Sequence, residues 1–283
     1  MNKRILINSL LALFVCALAL VVWFKPGQQT DNINRLTALD PSSINKIIIE
    51  RKSAGSIELS RHDNQWHITQ PIPALALPGK IERLLKISQI KGLAEYPLDD
   101  SQLSNLGLKE PVAKITYNNV QLLIGGTEPV QTRRYVANAN KLFLVDDTFI
   151  HHLTAPVEAY IDTRLIADNT QIIELKTPEM HLLRNPDNTW KDASQPSLSL
   201  SSDAVQTLLD EWRFARAIRV KVNKKISSNA NVFISLNNGK ILSFELFKEQ
   251  QQRVLTSTKT ALSYYFSDDK YKKMTQLPDQ PDA

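Results

Sequence analysis

From Ile44 onward the chain is written in short apolar runs divided by clusters of Asn, Asp, Gly and Pro, the pattern of an antiparallel sheet protein. Ile44-Asn-Lys-Ile-Ile-Ile49 predicts a strand and Ser56-Ile-Glu-Leu-Ser60 a second. The polar stretch from Arg61 to Gln65 then predicts a turn, with Trp66 opening the strand after it and Gln70-Pro71 closing it. The period then changes. Pro78 suits a first helical turn, and Ile81, Leu84, Leu85 and Ser88 follow at helical spacing. Strands return at Ala113–Tyr117 and Val120–Ile124. A closing hairpin of Arg134–Ala137 and Lys141–Val145 leads through Asp146-Asp147 into a short helical run from Thr148 to Leu153.

The same order of elements begins again after Asp162–Thr170. Gln171–Leu175 and Met180–Leu183 match the first two strands, Asn185–Asn188 the turn, and Trp190 with Gln195-Pro196 the strand opening, 124 positions after Trp66. Ser201, Ser202 or Asp203 can cap a helix whose stripe is Val205, Leu208, Leu209 and Trp212. Asn231–Leu236 and Lys240–Phe247 flank the hairpin turn Asn237-Asn238-Gly239. Arg253–Thr256 and Ala261–Phe266 then close the copy, followed by Asp268-Asp269 and a helix to Met274. In both copies the paired aspartates read as helix caps, where carboxylates satisfy free backbone N–H groups and favour the dipole. The copies differ between helix and sheet: the first inserts Leu98–Pro111, the second passes directly through Arg219–Lys225.

The N-terminus departs from this pattern. Ile5–Phe24 carries no charge and is long enough, at ~1.5 Å per residue, to cross roughly 30 Å of hydrocarbon. Val21, Val22, Trp23 and Phe24 end it without a small-x-small cleavage site, which favours an uncleaved anchor over a signal peptide. Leu13-Phe14-Val15 before Cys16 argues against a lipidation site. Lys3 and Arg4 precede the span, so positive-inside bias expects the N-terminus in the cytoplasm and the remainder outside that membrane.

Composition then narrows the function classes. Cys16 is the chain's one cysteine, so the segment beyond the anchor has neither a disulfide framework nor a thiol nucleophile. The net charge of +5 falls away once Lys3, Arg4 and Lys25 are set aside, leaving 31 basic against 29 acidic residues. That balance does not suit nucleic acid.

Several of these elements together resemble a known family. The strand-turn-Trp-x-x-x-x-Pro opening, Leu106-Gly107-Leu108-x-x-Pro111, the strand end Ile124-Gly125-Gly126, and the hairpin Tyr135-Val136 to Phe143-Leu144-Val145 are similar to the domain-of-unknown-function family 4340. The resemblance covers residues 44–165 well and the second copy weakly, since that copy lacks the Leu-Gly-Leu-x-x-Pro element. It implies a bacterial inner-membrane protein with a periplasmic domain of repeated α+β units. For some members it implies an auxiliary role in ABC-type transport, gliding motility included. It brings no catalytic residues.

The chain's own chemistry is sparse. It has no G-x-S-x-G elbow, H-E-x-x-H, phosphate loop or dinucleotide-binding glycine pattern. Gly125-Gly126-Thr127 reads as a strand end. His151-His152 would point about 100° apart on a helix, which disfavours a shared metal, and His62, His67 and His181 read as exposed edge positions. No catalytic residue, cofactor or metal is therefore expected. Two features suggest a partner surface. Arg213, Arg216, Arg219, Lys221, Lys224 and Lys225 form a run without an acidic residue, suited to an acidic protein or lipid headgroups, or else a solvated helix end followed by an exposed strand face. Trp66 and Trp190 suit either sugar stacking or sheet packing.

The expected organisation is an α+β protein with an N-terminal transmembrane helix and two tandem repeats. Residues 1–25 are the cytoplasmic start and anchor, 26–43 a polar spacer, 44–165 and 166–275 the repeat units, and 276–283 a disordered tail. Each unit is expected to be an antiparallel sheet with one main helix and a short terminal one. The expected function is a non-enzymatic envelope protein that binds or scaffolds a partner, ABC transporter subunits among the candidates. A glycan-binding module and a hydrolase are the alternatives.

Overall fold

The computed structural model describes residues 34–278 apart from 53, 169, 198, 223–227 and 229, together with 3, 7, 8 and 11–16, which are helical. Most of the expected span and of the spacer up to residue 33, and residues 279–283 of the expected tail, lie outside the described residues. Among those described, no helix is long and apolar enough to cross a membrane.

The first unit contains β1 (Lys46–Arg51), β2 (Ala54–His62), β3 (Gln65–Gln70), β4 (Ala74–Leu75), α1 (Pro78–Ile87), β5 (Ala94–Pro97), β6 (Ala113–Tyr117), β7 (Val120–Thr127), β8 (Arg133–Asn138), β9 (Lys141–Asp146) and α2 (Ile150–Leu153). Its sheet order is β4-β3-β2-β1-β6-β7-β8-β9-β5. The second contains β10 (Ile172–Lys176), β11 (His181–Arg184), β12 (Trp190–Asp192), α3 (Ser202–Arg213), β13 (Arg219–Val222), β14 (Asn231–Leu236), β15 (Ile241–Glu249), β16 (Gln252–Ser257), β17 (Leu262–Ser267) and α4 (Asp268–Thr275). Its order, β12-β11-β10-β14-β15-β16-β17-β13, repeats the first without β4. All pairings are antiparallel. The repeat read from sequence is therefore a repeat of topology, down to a strand that leaves the helix and returns to pair with the last strand: β5 on β9, and β13 on β17.

Alternation decides which face of each sheet is buried. Ile47, Ile49, Ile57, Leu59, Ile115 and Tyr117 point to the side covered by α1, whose Ile81, Leu84 and Ile87 are buried against them. Tyr117 Oη donates to the Leu84 carbonyl at 2.5 Å, joining sheet to helix. In the second unit Val205, Leu208, Leu209 and Trp212 of α3 play the same part. Trp212 Nε1 donates to the Met274 carbonyl, which fixes α4 beside α3. The turn at Asp63-Asn64 has both residues at positive φ, the geometry that matches strand twist in a two-residue hairpin.

Leu98–Pro111 covers the opposite face of the first sheet. Leu103, Leu106 and Leu108 pack there with Leu123, Tyr135, Ala137 and Leu142 as a satellite core. The two short motifs of the family resemblance interlock at this point. Gly126 N–H donates to the Leu106 carbonyl at 2.8 Å. A side chain on Gly125 would meet that carbonyl oxygen at 2.5 Å, and one on Gly107, at φ +66°, would meet Gly126 N at 2.8 Å. The second unit has no such insertion, and β15 contains no glycine.

Four expectations need correction. Residues 34–43 are not a spacer: Leu36 and Thr37 are buried, with backbone bonds from Leu36 N–H to the Ile90 carbonyl and from Thr37 N–H to the Ser88 carbonyl. In the region between the units Ile161, Asp162, Leu165 and Ile166 are buried, and one hydrophobic cluster runs through both units. Asp146 ends β9, and Asp147 faces Arg134 instead of capping. The helix beyond starts only at Ile150, behind Phe149, with no side-chain cap. Asp268 and Asp269 do lie in the first turn of α4, but Ser267 is the cap. The C-terminal segment also packs further than expected, with Leu277 against the core.

Candidate functional site

The basic run is divided by the fold into two kinds of residue. α3 ends at Arg213 and β13 starts at Arg219, so the run is a helix end followed by a strand. Arg213 and Arg219 are half-buried against aromatic rings, Arg213 5.3 Å from the Phe214 centroid and Arg219 4.2 Å from that of Tyr265. Arg219 also donates to Gln252 Oε1 at 2.8 Å. Arg216 and Lys221 are exposed, Lys221 with its ammonium 5.4 Å from the same Tyr265 ring, and Lys224 and Lys225 lie outside the described residues. The sequence reading missed the apolar component: Phe214 is 62% exposed, Ile218 61%, and Val222 joins them. Its signal was the alternation from Phe214 to Val220, in which Ala215, Ala217 and Val220 turn inward. Leu93, at the matching place in the first unit, is also exposed. Its N–H reaches the Leu144 carbonyl at 2.8 Å, just as Ile218 N–H reaches that of Tyr265.

Both tryptophans are half-buried and pack against the core. Each faces an arginine across its hairpin, Trp66 opposite Arg61 and Trp190 opposite Arg184. The first pair is closed. Arg61 donates to Asn45 Oδ1 at 2.9 and 3.0 Å and to the Ser42 carbonyl, with its guanidinium 6.0 Å from the Trp66 ring. The second is open. Arg184 holds only Gln171 Oε1, at 3.3 Å, and a hollow of about 260 Å³ lies between Trp190 and the α3 residues Gln206, Asp210 and Arg213.

A larger cleft, about 430 Å³, lies where the units meet. Its first-unit wall includes Gln65, His67 and Leu75, and its second-unit wall Lys240, Leu242, Phe244, Lys259 and Tyr264. The linking segment adds Arg164, Leu165 and Asp168. Arg164 is held on two sides. It donates from Nε and Nη2 to Asp162 Oδ2 at 2.9 and 2.6 Å and from Nη1 to Asp168 at 2.6 Å, and these bonds push its pKa well above the usual arginine range. Burial, together with the Asp162 charge, pushes the Tyr264 hydroxyl up to about 12. His67 Nδ1 is buried without a partner, at a cost of about 1–3 kcal/mol. β4 covers this strand, so His67 is not the edge position expected from sequence. His181 is likewise interior to its sheet and meets Glu174 Oε1 at 2.8 Å.

His151 and His152 have ring centroids 3.8 Å apart, closer than their helical offset predicts, because rings on neighbouring residues can lean together even when their Cα–Cβ bonds diverge. No group of three His, Cys, Asp or Glu side chains converges among the described residues.

A family model described as Domain of unknown function (DUF4340) matches residues 66–245, from Trp66 in the first unit to Glu245 in β15 of the second. The match therefore reaches across both units, further than the residues 44–165 that carry the motifs. No curated protein and no solved structure matches the chain.

Proposed function

This chain belongs to the DUF4340 family, and on that premise we propose that it is a non-enzymatic, membrane-anchored envelope protein that scaffolds a protein partner, an ABC-type transport system being the class that the family resemblance suggests. The observation that supports this is the surface from Phe214 to Val222. Large apolar side chains and the cations Arg216 and Lys221 are presented together there, next to the strand that ends the second sheet. Exposed apolar area is costly to leave in water, and its mixture with exposed cations suits a partner with an acidic, partly apolar face. Ile5–Phe24 supports the anchored reading, with the N-terminus in the cytoplasm and the two units in the periplasm.

In-cell crosslinking of the full-length chain, with mass spectrometry of what is captured, tests the proposal. Transporter subunits should be recovered, and the double variant Arg216→Glu/Lys221→Glu should reduce their recovery at least tenfold. Recovery of nothing above background, or recovery indifferent to both reversals, would overturn it. A second reading, glycan binding, has the open Trp190 hollow in its favour. Saccharide-dependent quenching of tryptophan fluorescence, lost in Asp210→Asn, is the result it requires.

A further inference from the structure

We propose that the cleft at the junction of the two units binds a small organic anion with an apolar body. Charge is the first argument. Asp168 and Asp162 both accept from Arg164, so one guanidinium stands against two carboxylates and that cluster keeps one negative charge. The two lysines at the cleft outweigh it. Lys259 Nζ reaches only the Ile241 carbonyl, at 3.3 Å, and the Lys240 ammonium has no partner among the described residues. Both side chains belong to exposed residues on one unit, facing the first-unit wall across the cleft. The balance of these groups is one net positive charge over a concave, partly apolar surface, which attracts an anion and concentrates it there.

The lining sets the remainder of the ligand. Leu75, Leu165, Leu242, Phe244 and Leu262 give the cleft an apolar interior that a hydrated inorganic ion would not fill. Gln65 and Thr260 line the cleft as well and supply hydrogen-bonding groups. A volume of about 430 Å³ falls within the range of sites for small molecules, and the meeting of two structural units is where such sites concentrate. The cleft lining shares no residue with the Phe214–Val222 surface, although Arg164 in that lining is backbone-paired with Arg216.

The test is saturation-transfer NMR on the full-length chain in phosphatidylcholine nanodiscs, with 2-naphthoate as probe, its uncharged carboxamide as control, and empty discs as background. Naphthoate should bind at least tenfold more tightly than the carboxamide, and Lys240→Gln/Lys259→Gln should weaken it at least tenfold. Both substitutions are at exposed positions, so circular dichroism should be unchanged. Equal binding of acid and amide, indifference to the double substitution, or no naphthoate signal at millimolar concentration would overturn the proposal. Adding phosphatidylglycerol to the discs identifies the source: competition with naphthoate marks the anion as a lipid headgroup, and its absence marks a soluble one.

Discussion

Arg134 and Arg253 occupy the same place in the two units, at the start of the penultimate strand, and each reaches an aspartate beyond the last strand. Arg134 Nη2 donates to Asp147 Oδ2 at 2.5 Å, and Arg253 Nε to Asp268 Oδ1 at 2.8 Å. Burial separates them, with side-chain exposures of 9% and 15% in the first pair and 32% and 28% in the second. Removing one partner of a buried pair strands the other charge, so Arg134→Met should cost about 3–5 kcal/mol. Arg253→Met should cost about 1 kcal/mol or less. Urea unfolding of each variant checks this, and equal losses would show that burial does not set the difference. His152 supplies a pH dependence. Burial first, then the charges of His151, Lys80 and Arg83, hold its pKa down to about 4. The unfolded imidazole takes up its proton near ~6.5, so protonation favours the unfolded chain. Its contribution to stability is complete above about pH 6.5 and declines as the pH falls toward about 4. His152→Gln should flatten the change in urea midpoint across that window, and an unchanged slope would assign it to other groups.

At the scale of elements, the Leu98–Pro111 insertion accounts for the largest difference between the units. Its Leu106 carbonyl lies against the backbone at Gly125 and Gly126, a contact with no room for a side chain. Gly125→Ala should destabilise the protein by about 1–3 kcal/mol through overpacking. The loss should appear as faster hydrogen exchange in Leu103–Leu108, with α3 unaffected. Uniform protection across the molecule would mean that the insertion does not depend on this contact. The motif pair is thus a packing device, which explains why it carries no chemistry.

At the scale of the whole molecule, buried residues from Leu36 to Met274 form a shared core, with Ile161 and Ile166 of the link inside it. Ala76 bridges to Ile161 in the link, and Arg164 of the link to Arg216 of the second unit, so the link is backbone-paired on both sides. Scanning calorimetry of the full chain should show one unfolding transition. Two resolved transitions would mean that the units hold their own cores.

The sequence by itself determined the repeat, the strand and helix order, and a capped start for the second main helix at Ser201–Asp203. These follow from local periodicity and turn chemistry, which need no knowledge of distant residues. It also exposed the basic run, though as a string of charges. Only the tertiary structure separated the exposed Arg216 and Lys221 from the half-buried Arg213 and Arg219 and added Phe214 and Ile218 to the surface, because exposure depends on what packs beside a residue. The same holds for the buried Leu36 strap, the return of β5 and β13 to the last strands, and the Arg134–Asp147 pair where a cap was expected. The junction cleft was the least legible, since His67, Arg164, Lys240 and Lys259 are far apart along the chain. Folding alone brings them to one cavity, and their meeting leaves no local periodic trace.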